Sequence, residues 1–185
     1  RTGSPYQVDT IADMKAISVN LVPDGVSIIV LGYYEPGDGG GGDFIFSVSS
    51  AASDNGGTVI APDAGGGRWL RSNVTAMNVR FFGAKGDDAT NDLPAFQAAN
   101  DAGPVYIPDG TYRLVMTELG SQMTLGPGQT WEGQSRAKSI LKLYNTDGLY
   151  VNLLNCEGDN ITLVDFSVQN YCTGILCSWI GLRNG

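Results

Sequence analysis

"VRFFGAKGDDATNDLPAFQAANDAGPVYIPDGTYRL", residues 79–114, changes character four times in 36 residues. Val79, Phe81 and Phe82 read as a short apolar strand, and Gly83, Gly86, Asp87 and Asp88 as a turn. Asn91 or Asp92 is placed to cap a helix, with Pro94 in the first turn, where its missing N–H costs nothing. Leu93, Phe96 and the alanines give that helix a narrow apolar face, while Gln97, Asn100 and Asp101 are expected to stay in water. Gly103 then stands just past the helix end, as a C′ residue should. Val105–Ile107 reads as a strand, Pro108-Asp109-Gly110 as a turn, and Thr111–Leu114 as a second strand.

A short amphipathic helix wedged in front of a run of strands suits one architecture well. A parallel β-solenoid ends in unpaired backbone groups and a bare apolar interior, and such an end recruits other strands unless it is covered. The helix would be the lid. Downstream, "GQTWEGQSRAKSILKL" (128–143) and "GDNITLVDFSVQNYCTGILC" (158–177) repeat a theme: glycine, a polar residue, a short strand, a bend, then more apolar residues. Gly128 and Gly158 are 30 residues apart, and Cys156 and Cys177 are 21 apart. Both spacings fall near one coil of a solenoid.

Upstream the pattern differs. Thr10 reads as an N-cap with Asp13 three residues on, and Ile11, Met14 and Ile17 predict a helix over 11–18. Val26–Leu31 is a continuous apolar run, consistent with a buried strand. Phe44, Phe46 and Val48 alternate as a half-buried strand does. "DNGGTVIAP" reads as turn then strand, and "AGGGRWLRS" as a glycine loop entering a strand at Trp69. The tract Gly39–Gly42 lacks the Lys-Ser/Thr of a phosphate-binding loop, so hairpin connection is the preferred reading. Trp69, Tyr33 and Tyr34 could offer sugar-stacking faces, although core packing is the plainer assignment.

Composition narrows the functional classes. Glycine supplies 26 of 185 residues and charged residues only 16%, a profile for turn-rich β structure. A net charge of −8 argues against nucleic acid. Any long anionic ligand would need local basic residues to offset that field. No stretch of 18 apolar residues is present, so no membrane span is expected. The absence of histidine removes His-based triads, His–zinc sites and His acid–base chemistry. Cys156, Cys172 and Cys177 are expected as reduced, buried thiols. No metal and no cofactor is expected: Asp87, Asp88 and Asp92 lack the ligand alternation of a calcium loop.

Residues 79–115 resemble the opening of the pectate-lyase-like parallel β-helix of bacteriophage tailspikes and related polysaccharide-degrading proteins. The resemblance rests on "FFGAKGDDATNDLPAFQAA", "VYIPDGTYRL" and "TWEGQSRAKSIL". Before it, "TIADMKAI", "VLGYYEPGDGGGGDFIF", "DNGGTVIAP" and "GGRWLR" resemble the small module that precedes the β-helix in many tail fibre and tailspike proteins.

The fold this implies is mainly β. A small α+β module, residues 1–75, would attach to the virion or form a neck. A helical cap and the first coils of a right-handed parallel β-helix would occupy 76–185. The resemblance also implies a homotrimer on the phage tail, joined to a baseplate or adaptor protein. The intact protein would bind and depolymerise bacterial capsule or lipopolysaccharide by hydrolysis or lyase chemistry. Because the chain ends at Asn184-Gly185 part-way through the coil pattern, it is expected to be an N-terminal fragment, inactive by itself.

Glycoside hydrolysis needs two carboxylates about 5–10 Å apart. Glu132, Glu157, Asp159 and Asp165 fall on adjacent expected coils, and Glu132 and Asp159 are the candidate catalytic pair. Solvated turn acids are the preferred reading of all four. The competing assignments are an active pectate-lyase-like glycan hydrolase or lyase working through Glu132 and Asp159, and a carbohydrate-binding module without catalysis.

Overall fold

The structure is a computed structural model that describes residues 6–117, 123–145, 153–157, 159–171 and 180–183, the last four by backbone alone. It divides into two compact units. The first holds residues up to Thr75 together with Arg80–Gly83, and the second holds Ala76–Val79 and the chain from Ala84 onward.

The first unit is a mixed sheet with a short helix. Strand β1 (Tyr6–Thr10) runs into α1 (Ile11–Lys15), followed by β2 (Ser27–Gly32), β3 (Gly42–Ser47), β4 (Val59–Ile60) and β5 (Arg68–Arg71). The sheet order is β1-β2-β3-β5-β4. β1 pairs parallel with β2, and the remaining pairs are antiparallel. Thr10 caps α1 as its sequence position requires: its Oγ1 accepts from the Asp13 amide at 3.1 Å, and the Asp13 carboxylate accepts from the Thr10 amide at 3.0 Å. The helix ends at Lys15, earlier than the expected 18, although Ile17 still packs at the core edge.

One face of this sheet and one stripe of α1 meet in a core of Ile11, Met14, Val19, Ile28, Val30, Phe44, Phe46, Ile60 and Trp69. Phe44 and Phe46 alternate inward as expected, but Val48 lies past the end of β3 and is exposed. Trp69 is buried and packs against Phe46 with ring centres 4.8 Å apart and the planes tilted by 49°, so it is a core residue and not an open sugar platform. Residues 79–82 form a 3-10 turn, not the expected strand. Phe82 is buried, and the Phe81 ring packs on Arg71 at 3.9 Å. These aromatics serve as packing wedges, and their apolar run mimics a strand because burial, not pairing, selects it.

The second unit is built from three parallel sheets. Its strands are β6 (Met77–Asn78), β7 (Asp87–Asn91), β8 (Val105–Ile107), β9 (Gly110–Met116) and β10 (Met123–Leu125), then β11 (Thr130–Gly133), β12 (Ser139–Asn145) and β13 (Leu154–Glu157), then β14 (Thr162–Val164), β15 (Ser167–Asn170) and β16 (Ile180–Arg183). One sheet orders β14-β11-β8-β6, a second β15-β12-β9-β7 and a third β10-β13-β16. From β8 onward each successive turn of chain therefore adds one strand to every sheet. Val105 pairs with Trp131, 26 residues on, and Trp131 with Leu163, a further 32. The expected spacing of about 30 thus reflects real strand register. β7 occupies residues 87–91, where a turn was expected; it pairs irregularly with β9, with Asp87 and Ala89–Thr90 held by local side-chain bonds.

Inward positions stack in layers. Tyr112 and Leu141 are partners, as are Leu114 and Leu143, and all four are fully buried. Between β7 and β8 runs α2 (Leu93–Ala102), which buries Leu93, Ala95, Phe96, Ala99 and Asn100. It packs against β6, β9 and β10, one strand from each of the three sheets. Phe96 meets Tyr112 edge-on at 5.3 Å and Trp131 at 5.6 Å.

Asn100 does not stay in water as expected. Its amide nitrogen donates to the Thr124 carbonyl at 3.1 Å, and its oxygen accepts from the Trp131 indole at 3.0 Å. A polar residue on the apolar face is tolerated because each of these bonds replaces water. At the start of α2 the capping is shared. Asn91 Oδ1 accepts from the Leu93 amide at 3.2 Å, while the buried Asp92 carboxylate turns back to accept from the Lys85 and Gly86 amides at 2.8 and 3.0 Å.

Candidate functional site

In the first unit the glycine tract is a packing device. Asp38 closes the loop by accepting from the amides of Tyr33, Tyr34, Glu35 and Gly40. Burial works to raise its pKa, but the amides of Tyr34, Gly40, Tyr33 and Glu35 outweigh it and hold the carboxyl below its ordinary value. Arg71 secures the other side. Its Nε donates to the Gly57 carbonyl at 2.9 Å, Nη1 to Gly41 at 2.6 Å and Nη2 to Gly40 at 2.8 Å. The guanidinium lies between the Phe44 ring at 4.5 Å and the Phe81 ring at 3.9 Å. Burial draws its pKa down to about 10.

Arg80 adds a 2.7 Å bond to the Asp38 carbonyl. The amides that a phosphate cradle would offer are taken by the Asp38 carboxylate, and the Asp38, Gly40 and Gly41 carbonyls are taken by Arg80 and Arg71. A side chain at Gly40 would meet the Arg80 carbonyl at 2.6 Å, which explains the glycine without any ligand.

The candidate acids of the second unit are dispersed. Glu132 stands exposed on β11, in register between Tyr106 and Val164. Asp159 is exposed in the turn before β14, where its carbonyl accepts from the Gly128 amide at 3.0 Å. Glu157 ends β13, and Asp165 faces Arg136 at 3.8 Å across an exposed ion pair. Among the described residues no hydrogen bond or ion pair joins Glu132 to Asp159. Asp87 accepts from the amides of Thr90 and Ala89, which hold its carboxyl below the ordinary value, and Asp88 pairs with Lys142. Cys156 is buried, and burial raises its thiol pKa; Cys172 and Cys177 lie outside the described residues.

The outer face of the second sheet carries a cluster that the sequence reading missed. Asn91, Arg113, Lys142 and Gln169 form one row in register across β7, β9, β12 and β15. The Arg113 guanidinium lies 4.5 Å over the Tyr144 ring, and Tyr144 stacks on Tyr171 at 5.2 Å with the planes 12° apart. Lys142 Nζ sits 2.6 Å from Asp88 and 5.5 Å from the Tyr171 ring centre. The hydrogen bond to Asp88 raises the Lys142 pKa. The alternation in "GTYRLVM" and "SILKLYN" does place Arg113, Lys142 and Tyr144 outward. What the alternation lacks is the pairing register that aligns them.

Comparison with known proteins finds two family models, each matching part of the chain. Residues 7–75 match the family model described as a phage tail protein small four-stranded β-sheet domain. Residues 76–144 match one described as rhamnogalacturonase A/epimerase, pectate lyase-like. The first part of the chain thus resembles a phage-tail module and the second a pectate-lyase-like one, and the phage-tail match points to a component of the virion tail.

Particular relatives sharpen this. The preneck appendage protein of Bacillus phage PZA is 31% identical over 99 residues, covering 50% of this chain and 11% of that protein. The mannuronan C5-epimerase AlgE3 of Azotobacter vinelandii is 31% identical over 167 residues, covering 77% of this chain and 9% of the epimerase. The tailspike of Acinetobacter phage vB_ApiP_P1 superposes with a TM-score of 0.72 at 16% identity, covering 96% of this chain and 31% of that one. The last is a likeness of fold. The chain spans about a tenth of the length of the two curated relatives.

Proposed function

We propose that this chain is the N-terminal part of a phage tailspike. Residues 1–75 act as a virion-attachment or neck module, and residues 76–185 supply a helical cap and the first coils of a right-handed parallel β-helix. The spike is a homotrimer held by a baseplate or adaptor protein. The intact protein binds a bacterial surface polysaccharide, capsule or lipopolysaccharide, and depolymerises it. The supporting observation is the order of parts within one chain: a phage-tail β-sheet match over 7–75, followed by turns that each add a strand to three parallel sheets.

The cap assignment draws on α2. It touches one strand of each sheet and sets Phe96 between Tyr112 and Trp131, where bare interior would otherwise meet water. The role of this chain is then attachment and nucleation of the coil stack, with the chemistry elsewhere in the intact protein.

The test is direct. The purified chain should sediment as a trimer, occupy spike-depleted virions of its own phage in competition with the native spike, and release neither reducing ends nor unsaturated sugars from capsule or lipopolysaccharide. Turnover by this chain, abolished in Glu132→Gln or Asp159→Asn, would instead make it a working hydrolase or lyase.

A further inference from the structure

We infer that the outer face of the second parallel sheet, around Arg113, Tyr144 and Tyr171, binds a carboxylated sugar unit of an acidic polysaccharide. The Arg113 guanidinium takes the carboxylate, and the exposed Tyr171 ring takes a pyranose face. The inference rests on the proposed polysaccharide reading and deepens it.

Three observations carry it. Arg113 and Lys142 are direct register partners on neighbouring strands of one face. Like charges placed so are unfavourable unless something neutralises them. Asp88 does so for Lys142, at 2.6 Å. Arg113 has no ion-pair partner among the described residues, and its Nε is buried without an acceptor. What points to a ligand is the missing ion pair: a planar carboxylate against the exposed part of the guanidinium would supply it, with two parallel bonds available.

The second observation is the stack. Arg113, Tyr144 and Tyr171 pile in sequence along the sheet, and Tyr171 remains 48% exposed. Stacking on Tyr144 fixes the Tyr171 ring plane. It therefore presents a preorganised aromatic face, and an aromatic face with a polar tip suits the mixed character of a sugar ring.

The third observation is global. At a net charge of −8 the chain as a whole repels polyanions, so a polyanion can be held only where cations are concentrated. Arg113 and Lys142 stand side by side here, and with Asp88 answering Lys142 the Arg113 guanidinium is the cation left for a polyanion. A neutral glycan would use the rings but leave the guanidinium unanswered.

The experiment uses the full chain and two probes: a tetrasaccharide of uronic acids, and the same tetrasaccharide with its carboxyls reduced to alcohols. The acidic probe should bind saturably, with amide NMR shifts concentrated at residues 113, 142, 144 and 171. The reduced probe should bind at least ten-fold more weakly. Arg113→Gln, which keeps a stem over Tyr144, and Tyr171→Ala should each lower affinity for the acidic probe at least ten-fold. Equal affinity for both probes overturns the carboxylate assignment while leaving a polysaccharide role standing. Shifts mapping elsewhere on the wild type, or an absence of saturable binding at millimolar probe, overturn the site itself, and neither readout depends on a variant folding. Failure of the chain to occupy virions leaves this titration unaffected, so the two readings fail separately.

Discussion

The carboxamide oxygen of Asn100 accepts a 3.0 Å hydrogen bond from the indole N–H of Trp131, and both residues are buried. Asn100 belongs to α2 and Trp131 to β11, so this one bond fixes the helix to a strand of the second turn. Gln129 donates to the same oxygen at 3.3 Å. Asn100→Leu keeps similar bulk but leaves the indole N–H without an acceptor, at a cost of about 1–3 kcal/mol. Asn100→Asp preserves the acceptor for Trp131 but loses the donor to Thr124 and sets a carboxylate oxygen against that carbonyl. Both variants should therefore be less stable than wild type in chemical denaturation, and only the leucine should lose protection of the Trp131 indole N–H from exchange.

Phe96 is fully buried against Tyr112 and Trp131. Phe96→Ala removes a complete aromatic contact and leaves a cavity under the helix, which costs about 3–5 kcal/mol. If α2 is the cap proposed above, the loosened helix also uncovers sheet ends that seek other strands. Phe96→Ala should then aggregate with increased β signal on heating, whereas Asn100→Leu, with the apolar contact intact, should melt at lower temperature with less aggregation. Light scattering during thermal melting separates them.

Much of this architecture is legible in the residues because local patterns and burial agree. Thr10 and Asp13 declare a capping box, and the alternation through Tyr112, Leu114 and Met116 declares which face of β9 is inside. The exceptions share one cause. Phe81 and Phe82 look like strand residues because aromatics are apolar in any setting, yet they sit in a 3-10 turn, Phe82 buried and Phe81 half-buried under the Arg71 guanidinium. Asn100 looks like a surface residue because a carboxamide is polar, and only the approach of Trp131, 31 positions away, makes burial tolerable. The Arg113–Tyr144–Tyr171 stack is hidden for the same reason. Each member faces outward by a simple alternation, but their meeting depends on the register between strands separated by whole turns of chain.

The glycines of the second half give a graded test. A Cβ at Gly133 would strike the Asp165 carbonyl, a backbone group that no rotamer change can move aside. Gly128 is equally small and adopts a φ of +77°, but nothing lies within 4 Å of a Cβ there. Gly128→Ala should cost about 1–2 kcal/mol, the penalty for an L side chain in the left-handed region. Gly133→Ala must push apart the turn that follows β14, adding overpacking strain of about 1–3 kcal/mol to any local effect. It should also broaden or shift NMR signals around Asp165 and Phe166, which Gly128→Ala leaves in place.

Asp38 makes the first unit acid-sensitive in a defined direction. Its carboxylate accepts from four amides, and these hold its folded pKa below the unfolded value of 3.8. A group shifted this way binds protons more readily in the unfolded chain, so its stabilisation is complete above the unfolded pKa and is lost as pH falls through the folded one. Unfolding of the first unit, followed by amide exchange at Tyr33, Tyr34 and Gly40, should accelerate below about pH 4. Asp38→Asn presents an amide that offers one oxygen to four donors, so it should be less stable at pH 7. It should also lose part of the acid dependence, because the titrating group is gone. A variant as stable as the wild type at neutral pH, or one with an unchanged acid limb, would show that the loop closes through Arg71 and Arg80 alone.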